Sequence, residues 1–446
     1  MNANDPVGET LGRFVARSAW SDIGPSLRHE AKRSLLNFVG GALGVAQTPP
    51  IATIMRVLDA LGGPARATVI GRAERLGILD AAFVNAISAN LLDYDDTHLN
   101  TIIHPTAPVA PALLALAEER GLSGAAVLHA FILGVEVECR LGNAVSPGHY
   151  ARGWHITATC GVFGAAAGSA RLLGLTPAQT AHALGIAASQ SCGLVENLPS
   201  GAKNVGVGNA ARNGLLSALF AAQGVTAAPR AIEGPRGWAL ACGDQPDIAA
   251  LTAGLGGSWE LLKNTYKLYP CGIVLHSVID ACLPLRRDHA VSPEDIVAVT
   301  VLGDALLLAR GDRAVANERD ARVSIHHSAA VSLLFGAAGV REFSEEIVMR
   351  PEVAALRALV RPGLDAALPV GAATVVITTR DGRTLAATVT HARGSIEQRL
   401  SDRDIEDKVR ALGGACADID AVIDLIWRLD ELPNLAPLSA LLGPAA

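Results

Sequence analysis

From residue 5 to about residue 260, apolar positions recur at helical spacing in one run after another. The pattern predicts helices over 8–20, 26–45, 50–61, 77–92, 107–118, 123–143, 155–173, 177–189 and 207–222. Stop and start signals separate them, among them Gly121-Leu122-Ser123-Gly124 and Thr176-Pro177, an N-cap followed by proline at the first helical position. The period changes after about residue 265. Ile296–Leu302 alternates and is β-branched, and Ala373–Arg380 and Arg383–Thr390 flank Asp381-Gly382, a dipeptide suited to a primed hairpin turn. Helices over 272–284, 325–337 and 351–360 would cover such a sheet, and 409–412 and 422–429 read as helix returning to the first domain. The expected fold is mainly α with a smaller α+β domain: residues 1–264 completed by 394–446, and an α+β unit of residues 265–393.

Composition narrows the function classes. Half of the chain is hydrophobic but only 4% is aromatic, so small residues must pack backbones closely, as in Gly161–Gly168. No run reaches the roughly 20 apolar residues of a membrane span. The net charge of −6 carries no run of like charges, which argues against nucleic acid or a membrane surface as partner. Met1–Val7 lacks the basic and apolar pattern of a secretory leader. The seven cysteines, at 139, 160, 192, 242, 271, 282 and 416, form no Cys-x-x-Cys and read as reduced thiols of a cytoplasmic protein.

The chemistry concentrates in five places. Asp93-Tyr94-Asp95-Asp96-Thr97-His98 with His104-Pro105 ends an otherwise apolar helix, and so many titratable groups there point to proton transfer. Gly153-Trp154-His155 opens a long helix, where free N–H groups suit an anion and disfavour an imidazolium. Ser200–Arg212 is glycine-rich, with Lys203 as its cation, and reads as a small-anion site or as a link between packed helices. It has neither the spacing of a phosphate-binding Walker loop nor the strand of a dinucleotide fingerprint. Lys263–Gly272 gathers two lysines and two tyrosines at the change of domain, with His276 just beyond. Ser324-Ile325-His326-His327-Ser328 puts at most one histidine toward any one site. No metal-ligand spacing is present, and Gly-x-Ser-x-Gly is absent.

In this order the segments resemble the MmgE/PrpD family, over nearly the whole chain. The resemblance rests on Asp93-Tyr94-Asp95-Asp96-Thr97 with His104-Pro105, Gly153-Trp154-His155, Ser200-Gly201-Ala202-Lys203, Gly208-Asn209-Ala210-Ala211, and Tyr266-Lys267 with Pro270. It implies an all-helical domain built from both chain ends, an α+β lid, a homodimer, and a cofactor-free, metal-free site for a polycarboxylate. Asp93, Thr97, His104, His155, Lys203 and Lys267 match that family's site residues. Two positions depart from its decarboxylase-like members. Cys271-Gly272 stands where they place a histidine, and His327, counted here with the substrate-binding groups, where they place a tyrosine.

The implied reaction is that of a 2-methylcitrate dehydratase-like lyase: proton abstraction beside a carboxylate and loss of water. His104 would be the base, His155 the acid, Asp93 the group orienting a histidine, and Thr97 the holder of a carboxylate. Lys203 and Lys267 would supply the positive charge. Epimerisation of an amino- or imino-dicarboxylate, cis-aconitate-type decarboxylation, and a non-catalytic binding protein remain open as alternatives.

Overall fold

Small residues decide how the helices of this chain approach one another. The computed structural model describes residues 5–289, 291–414 and 416–443, so residues 1–4 of the stretch read for a leader lie outside it. Its contacts divide the chain into two units: Met1–Leu91, Asp95–Asn264 and Ser401–Ala446 form the first, and Leu92–Tyr94 with Thr265–Leu400 the second.

The first unit is helical. Its main helices are Val7–Arg17, Pro25–Leu43, Pro49–Leu61, Ile78–Asn90, Thr106–Arg120, Gly124–Val145, Ile156–Leu172, Pro177–Ala188 and Gly201–Ala222. The predicted cap at Thr176 is part of a full capping box: Thr176 Oγ1 accepts from Gln179 N, and Gln179 Oε1 accepts from Thr176 N. The last of these helices starts six residues before its expected position of 207. The glycine-rich segment is therefore the opening of a helix and not a loop. Close packing explains Gly208, because a Cβ there would stand 2.8 Å from Phe83 Cδ2 and 2.9 Å from Phe83 O. That approach outweighs the roughly 1 kcal/mol by which glycine disfavours a helix interior.

The tail completes this unit. Asp402–Leu412 and Ile419–Trp427 pack against Pro25–Leu43. Lys408 Nζ donates to Asn37 Oδ1 at 2.7 Å, and Arg33 and Lys32 pair with Asp402 and Asp430. Both ends of the chain thus build one helical body. Among the described residues no helix is long and apolar enough to cross a membrane.

The second unit holds a four-stranded mixed sheet in the order Val360–Leu364, Ile296–Gly303, Ala373–Thr379, Thr384–Val389. The first pair is parallel and the other two are antiparallel. Ala373, Val375 and Ile377 are fully buried and alternate with half-buried neighbours, so one face forms the core with the helices His276–Asp288 and Ile325–Phe335. The first of these helices begins at His276 and not at 272, because Ile273–Leu275 forms a 3₁₀ turn. The third predicted helix stops at Arg357, and Val360 opens the parallel strand.

The hairpin forms where it was expected, but its turn is of another kind. A primed two-residue turn, of either type, needs positive φ at its first central residue. Here Gly382 has φ +85° while Asp381 is not in the positive region. Gly382 N instead donates to Thr379 O, and Thr379 N to Arg383 O, giving a three-residue connection with glycine at its left-handed position. Asp381 Oδ1 accepts from Thr379 Oγ1 at 2.5 Å and so occupies the carboxylate within the turn. Gly382→Ala is expected to lower stability by about 1 kcal/mol. A urea titration that left the midpoint unmoved would contradict this turn assignment.

Candidate functional site

Within the first unit a chain of polar contacts runs from the start of the Gly201–Ala222 helix to His104. Asn204 Nδ2 donates to Asn90 O at 2.9 Å and to Asn90 Oδ1 at 3.1 Å. Asn90 Nδ2 donates to Asp95 Oδ2 at 2.5 Å, and Asp95 Oδ1 lies 3.0 Å from His104 Nδ1. Every side chain in this chain except His104 is at least 97% buried, and His104 keeps 12% of its side-chain surface.

His104 is gripped on one side. Its Nδ1–H donates to Asp96 O at 2.9 Å, with Thr97 Oγ1 3.5 Å away, and its backbone N–H donates to Thr157 Oγ1 at 3.1 Å. A proton committed to Nδ1 leaves the lone pair of the neutral ring on Nε2. The Asp95 carboxylate beside Nδ1 then stabilises the imidazolium that forms when Nε2 takes a proton, as the acid of a catalytic triad does.

Behind this pair lies a second acid layer. Asp96 is fully buried; its carboxylate accepts from Asn264 Nδ2 at 2.6 Å and from Thr106 Oγ1. Burial pushes its pKa up to about 6, with the Asp95 charge adding to the rise and the bonds from Thr106 and Asn264 opposing it. Glu138, from the Gly124–Val145 helix, is also fully buried, and neither carboxyl oxygen has a hydrogen-bond partner among the described residues. Burial first, and Asp96 second, hold it well above the usual carboxylate range, so Glu138 is a neutral acid in the folded state.

A pH dependence follows. An acid whose folded pKa is raised contributes stability below its unfolded value of 4.5, and that contribution is lost as pH rises through the folded pKa. Glutamine in its place stays neutral throughout. Glu138→Gln is therefore expected to be more stable than the parent above pH 4.5, by a margin growing about 1.4 kcal/mol per pH unit until the folded pKa is reached. Urea unfolding from pH 5 to 8 reads this, and a margin independent of pH would exclude a buried neutral Glu138.

His155 and Lys203 take up their places in the same unit. His155 is the N-cap residue of Ile156–Leu172 and 96% buried, and its N–H donates to Gly193 O at 3.1 Å. A bridge between Trp154 and Leu194 and a bond from Val195 N to Gly153 O tie the segment preceding Lys203 onto the residues around His155. Thr157, two residues after His155, is the anchor of His104, so one helix start serves both histidines. Lys203 stands in the first turn of its helix, next to Asn204 of the polar chain. His98, the other histidine of the acidic segment, is buried between Thr101 Oγ1 at 2.8 Å and Glu260 Oε2 at 3.0 Å and serves the fold.

In the second unit, the tripeptide Leu92–Tyr94 is held by the residues around Lys267. Lys267, 2% exposed, places Nζ 3.0 Å from both Asp93 Oδ2 and Asp93 O. Tyr94 Oη donates to Leu268 O at 2.8 Å, and Arg322 Nη1 to Pro270 O at 2.7 Å. Asp93 adopts φ +53°, a left-handed conformation that a non-glycine residue holds only when its surroundings impose it. Cys271 is a buried thiol, raised first by burial, with Lys267 and Arg322 opposing and Asp93 adding.

His327 is fully buried in the core of this unit. Its Nε2–H donates to Glu342 O at 3.0 Å, and Nδ1 accepts from Arg357 Nη1 at 3.4 Å. Burial lowers its pKa to about 4, so it is neutral at physiological pH.

The structure thus groups Thr97, His104, His155 and Lys203 in one unit, and Asp93, Lys267 and His327 in the other. The Asp93 carboxylate pairs with Lys267, and that of Asp95 stands against His104 Nδ1. Asp95 was part of the acidic cluster and Asn204 of the glycine-rich segment, neither with a role of its own; Asn90 and Thr157 were not singled out. The sequence signal for Asn90 was its polarity, shared with Asn85, in an otherwise apolar helix.

Comparison with known proteins covers most of the chain. Residues 9–250 match the model of the MmgE/PrpD N-terminal domain, and residues 269–429 that of the MmgE/PrpD C-terminal domain. The chain is similar to a cis-aconitate decarboxylase of Aspergillus terreus, with 29% identity over 99% of this chain and 97% of the relative. It is also similar to the cis-aconitate decarboxylases of Mus musculus, with 28% identity over 93% and 89% of the two chains, and of Homo sapiens, with 27% over 98% and 92%.

Proposed function

This chain belongs to the MmgE/PrpD family, and from that premise we propose that it is a cofactor-independent lyase of a small polycarboxylate. The observation that carries the proposal is the commitment of the His104 Nδ1 proton to Asp96 O beside the Asp95 carboxylate, which makes Nε2 the basic atom.

In the proposed reaction Nε2 of His104 removes the hydrogen from the carbon next to a carboxylate. The electron pair of that C–H bond becomes the second bond of an alkene as the neighbouring C–O bond breaks. His155 protonates the departing hydroxide, and water leaves. The developing charge on the substrate carboxylate is met by Lys203 and Lys267, each such donor contributing about 3 kcal/mol to the transition state. Thr97 holds a substrate carboxylate, and Asp93 fixes the Lys267 ammonium.

Decarboxylation of a cis-aconitate-like acid is the second reading, favoured by the relatives, which are cis-aconitate decarboxylases. At the position of the decarboxylases' histidine this chain offers a buried thiol and a glycine, Cys271-Gly272, neither of which donates a proton near neutral pH.

The test is incubation of the purified protein in D₂O with citrate, 2-methylcitrate, malate, cis-aconitate and iminodisuccinate, followed by proton NMR and alkene absorbance. Alkene and water from a hydroxy acid support the lyase. Carbon dioxide from cis-aconitate supports the second reading, and deuterium exchange without alkene an epimerase. Neither turnover nor exchange with any of the five would exclude this class of reaction, as would turnover undiminished in Lys203→Ala. The homodimer implied by the family resemblance is read in the same preparation by light scattering.

A further inference from the structure

The second unit has a groove of about 380 Å³ lined by Arg313, Val315, His326, Ala354, Arg357 and Ala358. Its charge is one-sided. Among the described residues neither Arg313 nor Arg357 has a carboxylate within ion-pair distance, and the nearby Asp312 is committed to His326 Nε2 at 2.9 Å.

Arg357 is held from behind. Its Nη1 donates to Val348 O at 2.8 Å and to Nδ1 of the buried, neutral His327. His327 in turn is locked by its Nε2–H bond to Glu342 O. The guanidinium is thereby fixed in orientation without being neutralised, with Nε and Nη2 left for what occupies the groove. Partial burial without a counter-charge is unfavourable for a cation and lowers its proton affinity. A planar guanidinium fixed on one edge presents the paired donors that match an oxyanion. Arg313 is exposed, its guanidinium bonded among the described residues only through Nε to Arg310 O, and can close over the same ligand.

We propose that this groove is a binding site for a small oxyanion, carboxylate or phosphate, held by Arg357 and Arg313, with His327 as the residue that positions Arg357. The site shares no residue with those assigned above to proton transfer, and its occupancy does not depend on which reaction those residues carry out. His327 then acts through Arg357, without touching the ligand.

The test is calorimetric titration of the full-length protein with inorganic phosphate and, separately, with citrate. Parent, Arg313→Gln, Arg357→Gln and Lys203→Ala proteins are compared. Saturable binding of at least one probe at millimolar concentration or below is expected, with affinity lowered at least tenfold in each arginine variant; Lys203→Ala removes only the citrate binding that belongs to the proton-transfer site and leaves the arginine-dependent component unchanged. Phosphate alone binding identifies a phosphate ligand, and citrate alone a carboxylate. The Arg313 variant is decisive, because Arg357 also supports Val348 while Arg313 lies at the surface. No saturable binding of either probe, affinity unchanged in Arg313→Gln, or loss in Lys203→Ala of the binding that the arginine variants weaken would each overturn the site.

Discussion

Replacing His104 by alanine is expected to lower kcat about 10²–10⁴-fold, the usual contribution of a positioned general base. The fold should survive the change. The His104 backbone bond to Thr157 does not involve the ring, Asp95 keeps its bond from Asn90, and the ring is the least buried member of the polar chain. Added imidazole should restore part of the lost rate, because the cavity left beside Asp95 retains its carboxylate. Rescue by a free base is a signature that a structural histidine would not produce. Asp95→Asn should fall between parent and His104→Ala in kcat, since an amide can still neighbour Nδ1 but cannot stabilise the imidazolium. A His104→Ala enzyme retaining more than a tenth of its activity would remove His104 from the role of base.

Gly214→Val is expected to cost about 3 kcal/mol or more of stability in the helical unit, the upper range for overpacking a tight core. A Cβ at this position would lie 2.4 Å from Ala165 Cβ, 2.5 Å from Val162 O and 2.9 Å from Ala166 N. Two of those three atoms are backbone of the Ile156–Leu172 helix, buried from Ile156 to Ala170, and cannot rotate away. Relief therefore requires separating two helices that share the largest interface of this unit, one of which begins at His155 and the other just before Lys203. Activity should fall together with stability. The control is Gly414→Ala, where a Cβ meets nothing within 4 Å, and which should stay within about 0.5 kcal/mol of the parent. Urea unfolding followed by far-UV circular dichroism reads both. A Gly214→Val midpoint equal to that of Gly414→Ala would show that this helix contact is not as tight as described.

The periodicity was a good guide wherever packing agreed with local preference. Ile156–Leu172 and Pro177–Ala188 lie within two residues of their expected bounds, since their apolar positions are buried at helical spacing and Thr176 caps the second. Gly201–Ala222 began earlier than expected for an opposite reason: glycine's low helix propensity was overridden by the contact of Gly208 with Phe83. The Asp381-Gly382 turn was placed correctly but assigned the wrong type. Only Gly382 needs a left-handed backbone once Thr379 and Arg383 close the connection.

The candidate site divides in the same way. That a cluster of acids, a threonine and two histidines at the end of an apolar helix does chemistry was legible from residue types and their spacing. The partners were not. Asp93 and Asp95 are two residues apart and chemically alike, yet Asp93 holds Lys267 while Asp95 is placed against His104. Glu138 gave no signal either, because a glutamate in a helix reads as a solvated face until its surroundings are known.

By itself the sequence determined the helical body closed by both chain ends, the sheet after residue 265, the family, and the kinds of group available for proton transfer. The helices and the sheet follow from periodicity, a local property, while the family and the closure by both ends follow from the resemblance of its ordered motifs. The tertiary structure alone decided that His104 carries its proton on Nδ1, that Asp95 stands beside it, that Glu138 is neutral, and that His327 faces Arg357. Each of these depends on distances of about 3 Å between residues far apart in the chain, and on the burial that sets the energy of a charge.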